Sequence, residues 1–386
     1  MMTESTPRIL HVTQPTTGGV AVYVAAVAAD QLQRGWQVAV ACPDAGWLPA
    51  TLAARNISHL PWRAKRSPGS TILREAAELR RLIRRYRPDV VHLHSAKAGL
   101  AGRITRSAQP TIFQPHGWSW LAARGPLRAL CVAWERAAAR RADVVICVGA
   151  GEQWLGHDQK VDARYRVVRN GVDLNRFRPA DDAARAAARR ELGLSPDARI
   201  AVCVGRLTRQ KGQDTLLAAW PQVRRACPGA ELFLVGDGQW PGGAAQQDSF
   251  SGARLVPAVD DPRRWYECAD VVVLPSRWEG LPLTALEALA TGRSLVVTDV
   301  PGLTEVVAPE VGVRVQVDDV DGLASALSER LTDKSLADRE GVAAGLAAGE
   351  FDVVASLGLL AGVTAGLLEG GTAVVREGLE IGAPGR

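Results

Sequence analysis

Apolar residues along this chain gather in short unbroken runs, separated by Ala-, Leu- and Arg-rich stretches of helical period. The first half carries RILHVTQ (8–14), WQVAVACP (36–43), ISHLPW (57–62), DVVHLHS (89–95), PTIFQPHG (110–117), DVVICVGA (143–150) and YRVVRNGV (165–172). The second half carries ARIAVCVGRL (198–207), ELFLVGDG (231–238), ARLVPAV (253–259), DVVVLPS (270–276), SLVVTDV (294–300) and GVRVQV (312–317). A strand with one face in water alternates apolar and polar residues. An unbroken apolar run instead predicts a strand covered on both faces, as in a parallel sheet between layers of helices. The expected fold class is α/β, with two doubly wound parallel-sheet domains in tandem facing a cleft. An Asn-Gly turn, a proline and paired aspartates in NGVDLNRFRPADD (170–182), ahead of a fresh helical stretch, set the boundary. The expected division is 1–174 and 175–350. The stretch 351–372 predicts a helix, weakened by its glycines, that returns to the first domain, and 373–386 reads as a loose tail.

Length supports two cores, because 386 residues exceed what one compact core holds. The six cysteines (42, 131, 147, 203, 227, 268) are scattered without a CxxC pair and read as buried reduced thiols. The start, MMTESTPRILHVTQ, lacks a charged segment followed by a long apolar one, and no run reaches the length of a membrane span. The expected location is cytoplasmic. Net charge is +5 but unevenly divided: residues 1–175 hold 24 Lys+Arg against 12 Asp+Glu (+12), and the remainder 22 against 29 (−7). A basic half is compatible with an anionic membrane, a phosphorylated acceptor or nucleic acid, and equally with helices solubilised by arginine.

In doubly wound sheets ligands lie outside the carboxyl ends of the strands, so the loops there carry the candidate chemistry. In QPTTGGVAVYV, Gly18 and Gly19 open a helix, where a bare backbone offers N–H donors to an anion or simply turns. In VGRLTRQKGQ, Gly205 precedes Arg206 and Lys211, and a forked guanidinium with a flexible ammonium suits a diphosphate. In RWEGLPLTALEALATG (277–292), Glu279 precedes an apolar helix and Glu287 lies within it, with Pro282 at its start. Backbone N–H groups of Gly280, Leu281, Leu283 and Thr284 can meet a phosphate, and the two carboxylates can each hold paired sugar hydroxyls at opposite ends of a nucleotide-sugar. Glu279 as a helix cap and Glu287 as a solvated residue is the plain alternative. The acidic doublets Asp181-Asp182, Asp260-Asp261 and Asp318-Asp319 read as turns and helix starts, and no HExxH-type pattern marks a metal site.

The order of GG loop, HG after a strand, NGVD, GRL with KG, GDG, and PS-EGLP-EA with two glutamates eight apart resembles the GT-B glycosyltransferases of family 4, over roughly residues 8 to 330. The resemblance implies two Rossmann-like domains and a donor site between them. It also implies a retaining transfer from a nucleotide-diphosphate sugar without cofactor or required metal. By position it assigns the diphosphate to Arg206 and Lys211, the transferred sugar to Glu279, the ribose to Glu287, and the vicinity of the reacting carbon to His116. The base falls to backbone around Leu255, Val256 and Pro257.

On the acceptor side, HSAKAGLAGRITR (94–106) offers Lys97 and Arg103, Trp118 follows the HG pair, and Arg80, Arg81, Arg84, Arg85 and Arg87 spread around the helix at 74–88. This face suits a peripheral enzyme on the inner face of the plasma membrane with a lipid-linked acceptor, and the SAKAG stretch resembles polysaccharide-assembly members of the family. A soluble natural-product acceptor is the alternative, and a GT-B sugar-nucleotide epimerase is a second, though no acid/base set for proton abstraction stands out. No recognised nucleic-acid module is present, so nucleic acid is not an expected partner.

Overall fold

The structure is a computed structural model and describes residues 6–66, 69–105, 107–238 and 252–369. The proposed loose tail therefore lies outside the described residues. Every apolar run forms a strand. The first sheet holds β1 (Arg8–Thr13), β2 (Gln37–Cys42), β3 (Ser58–Pro61), β4 (Val90–His94), β5 (Thr111–Gln114), β6 (Val144–Cys147) and β7 (Tyr165–Val167). The second holds β8 (Arg199–Val204), β9 (Ala230–Val235), β10 (Ala253–Val256), β11 (Val271–Leu274), β12 (Ser294–Thr298) and β13 (Gly312–Val315). Their orders are β3-β2-β1-β4-β5-β6-β7 and β10-β9-β8-β11-β12-β13, with parallel pairing throughout.

Both sheets are covered on both faces because successive residues point opposite ways. In β1, Ile9 enters a core with Tyr23, Val27 and Val90, while Leu10 enters one with Leu79, Leu93 and Phe113. In β8, Ile200 and Val202 join one cluster, and Ala201 and Cys203 the other. Helices cover these faces by amphipathicity. In the helix Ile72–Tyr86, Leu79 and Ile83 are buried and Arg80, Arg81, Arg84 and Arg85 exposed; it ends where Arg87 turns left-handed (φ 53°) ahead of Pro88. All six cysteines are free, and all but Cys131 are buried.

The chain crosses between the halves twice, and the crossings lie side by side. Val172 N–H donates to Phe351 O (2.8 Å) and Val353 N–H to Val172 O (3.1 Å). Gly171 permits this approach: a Cβ there would stand 2.4 Å from Val353 Cα. The helix Val353–Leu368 then packs on the first half, with Leu360 among Ile9, Tyr23 and Val90. Each sheet reverses its winding once, between β1 and β4 and between β8 and β11. The loops singled out in the sequence follow β1, β5, β8 and β11, so the parallel topology brings them to facing ends of the two sheets.

Candidate functional site

The Gly18–Gly19 loop begins the helix Gly18–Gln33, whose N-terminus has no side-chain cap. A Cβ on Gly18 would lie 3.9 Å from Arg206 Nε, and one on Gly19 3.9 Å from Leu283 Cδ1. The first-half helix thus opens toward the Arg206 loop and toward the start of the helix Leu283–Ala290. Two helix N-termini, each with unpaired N–H groups and a partial positive charge, face one gap. Arg206 has no ion-pair carboxylate among the described residues. Partial desolvation, and then the like charge of Arg66 from the first half, hold its pKa below the ordinary value. Arg66 escaped the sequence reading because only the folded chain brings it to this gap.

Lys211 sits in a short turn after β8 that ends on Gly212 at φ 66°. A Cβ on Gly212 would stand 1.9 Å from Pro275 O, so glycine is required both by conformation and by the strand-end behind it. Pro275 leads into the Glu279 loop, and the two loops interlock. Lys211 Nζ meets Glu279 Oε1 at 2.7 Å, and Gln210 Nε2 donates to Glu279 Oε2 at 3.3 Å and to Trp278 O at 3.1 Å. Glu279 is buried and is held by these groups instead of capping the helix. Glu287 accepts from Tyr266 Oη at 2.8 Å; burial raises its pKa, while Tyr266, Arg176 and Lys211 act in the opposite sense. The Thr284 hydroxyl is buried without a partner among the described residues at the start of the same helix. Arg206, Lys211, Glu279 and Glu287 therefore share one wall.

Leu255 and Val256 end the edge strand β10 and Pro257 follows it; Val256 O already accepts from Gly236 N–H at 2.9 Å, and Pro257 is exposed. Across the gap, His116 stands after β5 in a left-handed turn (φ 53°). Its neighbour Gly117 donates its N–H to Glu152 Oε1 at 2.5 Å, and Val148 N–H donates to the other oxygen at 2.8 Å. A Cβ on Gly280 would lie 3.0 Å from Val148 Cγ2 and 3.5 Å from Gly117 N, so the Glu279 and His116 loops touch. Burial pushes the Glu152 carboxyl up to about 7. Glu152 also went unread in the sequence, where it is one acidic residue in a helix's first turn. Glu305, after β12, reaches over to the first half: its oxygens accept the N–H groups of Ala150 (2.9 Å) and Gly151 (2.6 Å) at the start of the helix Ala150–Asp158.

The acceptor-side expectation for Lys97, Arg103 and Trp118 is corrected, because all three side chains are interior. Lys97 is 4% exposed against Glu75 at 2.6 Å. Arg103 pairs with Glu135 at 2.7 Å and lies 3.9 Å over the Phe113 ring. Trp118 stacks on Trp120 at 4.5 Å and donates Nε1–H to Glu152 O. The SAKAG stretch is small because its helix packs onto the sheet: a Cβ on Gly99 would stand 2.2 Å from Phe113. Exposed basic and apolar groups lie instead on the helix Gly125–Ala138, where Leu127 and Leu130 are exposed beside Arg128. The acidic doublets cap helices or pair with arginines: Asp181 accepts from Ala184 N–H, Asp319 from Gly322 N–H, and Asp261 pairs with Arg263.

One cluster has the residue types of a metal centre: His11, His92 and His94, with candidate ligand atoms within 4.8 Å of one another. Its geometry is that of hydrogen bonding. His11 Nδ1 and His94 Nε2 are 3.0 Å apart, closer than the roughly 3.3 Å between two nitrogens on a tetrahedral zinc. His92 and His94 stack at 3.9 Å, so their in-plane lone pairs run alongside each other and do not converge.

Among solved structures, sucrose-phosphate synthase from Thermosynechococcus elongatus superposes with a TM-score of 0.81 over 94% of this chain and 100% of that one, at 21% identity. HepE from Anabaena, solved with UDP and glucose, gives 0.78 over 93% and 99%, at 19% identity. These likenesses establish the two-domain GT-B fold. In sequence, D-inositol 3-phosphate glycosyltransferase from Segniliparus rotundus is 37% identical over 171 residues, and the match spans 42% of this chain but only 36% of that protein. A GDP-mannose-dependent alpha-(1-6)-phosphatidylinositol monomannoside mannosyltransferase from Mycolicibacterium smegmatis is 30% identical over 356 residues, 85% of this chain and 90% of that one. The pattern described as Glycosyltransferase Family 4 matches residues 17–176, and that described as Glycosyl transferases group 1 matches residues 198–333. A likeness that runs through both halves and the gap between them makes the chain a member of glycosyltransferase family 4.

Proposed function

We propose that this protein is a retaining glycosyltransferase that moves a sugar from a nucleotide-diphosphate donor to an acceptor in glycan assembly. The carrying observation is the gap itself. Two helix N-termini and Arg206, in ion pair with no carboxylate among the described residues, meet there within reach of the Arg66 charge, beside a wall bearing Glu279 and Glu287. An anion is what such convergent positive ends stabilise, and a pyrophosphate flanked by two polyhydroxylated rings matches carboxylates set to either side.

As the sugar–phosphate bond breaks, negative charge grows on the leaving diphosphate, where Arg206, Arg66, Lys211 and the amides of Leu283 and Thr284 stabilise it. In this reading Lys211 turns from Glu279 to the phosphates, freeing the carboxylate for the transferred sugar. Retention follows from attack on the face the diphosphate leaves. The acceptor oxygen bonds to the sugar carbon, and its proton passes to a phosphate oxygen, so the protein need supply neither nucleophile nor metal. Relatives named for phosphatidylinositol mannosides and for GlcNAc-diphosphoundecaprenol support a lipid-linked acceptor. Leu127 and Leu130 beside Arg128, with the arginines of Ile72–Tyr86, would meet an anionic membrane. Among the described residues no helix is long and apolar enough to cross one.

The test is release of nucleoside diphosphate from a panel of nucleotide-sugars, with and without lipid-linked and soluble acceptors, repeated in EDTA. Acceptor-dependent release that survives EDTA, abolished by Lys211→Ala or Glu279→Ala in folded protein, is expected. Release without acceptor indicates hydrolysis or epimerisation, and near-normal turnover by either variant contradicts the assignment.

A further inference from the structure

Four of the six histidines, His11, His92, His94 and His116, are packed together. Three of them form a chain with one glutamine that no catalytic scheme above uses. Gln31 Oε1 stands 2.8 Å from His11 Nε2, His11 Nδ1 3.0 Å from His94 Nε2, and His94 Nδ1 3.1 Å from His116 Nε2. The chain runs from the last turn of the helix Gly18–Gln33, beneath β1 and β4, to the loop that faces Gly280. Gln31, His11 and His94 are almost wholly buried.

Burial keeps these rings neutral: it brings His11 down to about 4, His116 to about 3, and His94 well below the usual histidine value. A neutral imidazole has one N–H and one bare nitrogen. Three neutral rings in series therefore allow only two arrangements, every N–H pointing one way or every N–H pointing the other. A carbonyl oxygen can only accept. With the amide oriented so that Oε1 faces His11 and Nε2 is left buried without a partner among the described residues, His11 Nε2 carries the N–H. His11 Nδ1 is then bare and takes the N–H of His94 Nε2, and His94 Nδ1 in turn takes the N–H of His116 Nε2. His116 is left with a bare Nδ1, which no protein group among the described residues engages. An amide turned the other way would donate instead and reverse every proton in the row.

We propose that Gln31, His11 and His94 are positioning residues that fix His116 in its Nε2–H tautomer, so that its Nδ1 accepts a hydrogen bond from a hydroxyl of the donor sugar. The functional half of this inference rests on the reading that His116 meets that sugar; the tautomer does not. The opposite arrangement would place an N–H on Nδ1, which meets a hydroxyl only through that oxygen's lone pair and competes with its other partners. His92 stands beside the chain and not in it: its Nε2 faces Gln114 Oε1 at 3.0 Å, and its Nδ1 is buried without a partner among the described residues.

The experiment is ¹⁵N–¹H correlation NMR of histidine-labelled full-length protein, wild type and Gln31→Leu, with metal analysis of the same samples. Kinetics are then measured on Gln31→Leu and on Gln31→Glu, which keeps an acceptor oxygen. Wild-type His116 is expected as the Nε2–H form. Gln31→Leu should give a mixed or reversed tautomer and a fall in kcat of about tenfold, the worth of one good hydrogen bond in the transition state, with nucleotide affinity kept. Gln31→Glu should restore most of the rate. An Nδ1–H form in the wild type, an unchanged His116 spectrum in Gln31→Leu, or stoichiometric zinc on the cluster each overturns the chain. The wild-type spectrum decides even if the leucine variant fails to fold. A tautomer that switches with no change in rate leaves the chain standing and removes His116 from the sugar.

Discussion

Replacing Glu305 with alanine should loosen one half of the molecule from the other. The side chain leaves β12 in the second half, and both its oxygens take N–H groups from Ala150 and Gly151 in the first half, at 2.9 and 2.6 Å. Its side chain is only 12% exposed, and the nearest cation, Arg169, is 3.9 Å away, so the two amides are its principal partners. An N–H bond to a charged acceptor contributes about 1.5–3 kcal/mol, and a carboxylate at a helix N-terminus adds about 0.3–1 kcal/mol. Water reaches the amides once the halves part and recovers part of this, so a net loss of about 2–3 kcal/mol from the closed arrangement is expected. At about 1.4 kcal/mol per tenfold, the opening equilibrium shifts by roughly 30- to 150-fold. Hydrogen exchange at Ala150 and Gly151 reads the local opening, and energy transfer between dyes placed one on each half reads the separation. Glu305→Ala should speed exchange at both amides by that factor and shorten the dwell in the closed state, with the far faces of both sheets unchanged. Exchange at these amides within about twofold of wild type, together with an unaltered distance distribution, would refute the reasoning.

Two further outcomes follow. Lys97→Ala leaves Glu75 buried without its ammonium, and removing one member of a buried pair costs about 3–5 kcal/mol; calorimetry should show a clear fall in Tm while nucleotide affinity of the folded variant holds, and weakened donor binding with no loss of stability would restore Lys97 to the site. Glu152, raised from 4.5 to about 7, holds its proton in the folded state at a pH where the unfolded chain has lost it, so its stabilisation is full below pH 4.5 and fades as pH rises through 7. His11, lowered from 6.5 to about 4, acts in the opposite direction, present above 6.5 and lost toward 4, so the total pH profile does not isolate either group. The difference between wild type and Glu152→Gln does: urea unfolding should show the wild type losing up to about 3 kcal/mol relative to the variant between pH 5 and pH 8, and a pH-independent difference would exclude the raised carboxyl.

The two-sheet architecture was legible in the sequence because an unbroken apolar run of strand length has few other ways to be satisfied. Thirteen such runs gave thirteen strands, and parallel winding obliges the loops after β1, β5, β8 and β11 to meet at the sheets' carboxyl ends. Arg206, Lys211 and Glu279 could be picked out because each lies in a loop just after such an end, and Glu287 because it lies in the helix that the Glu279 loop opens. Lys97 and Arg103 looked like surface cations because nothing in their own stretch names Glu75 and Glu135, which approach from other helices and draw them inside. Glu152, Glu305, Arg66 and the row that joins Gln31, His11 and His94 to His116 were silent for the same reason. A backbone pattern is written in neighbours along the chain, whereas a charge's partner, a carboxyl's desolvation and an imidazole's tautomer depend on groups tens or hundreds of residues away that meet only when the sheets are built. The sequence by itself determined the layers and the rim on which chemistry could stand; tertiary structure alone decided which polar residues on that rim face the gap and which are held inside.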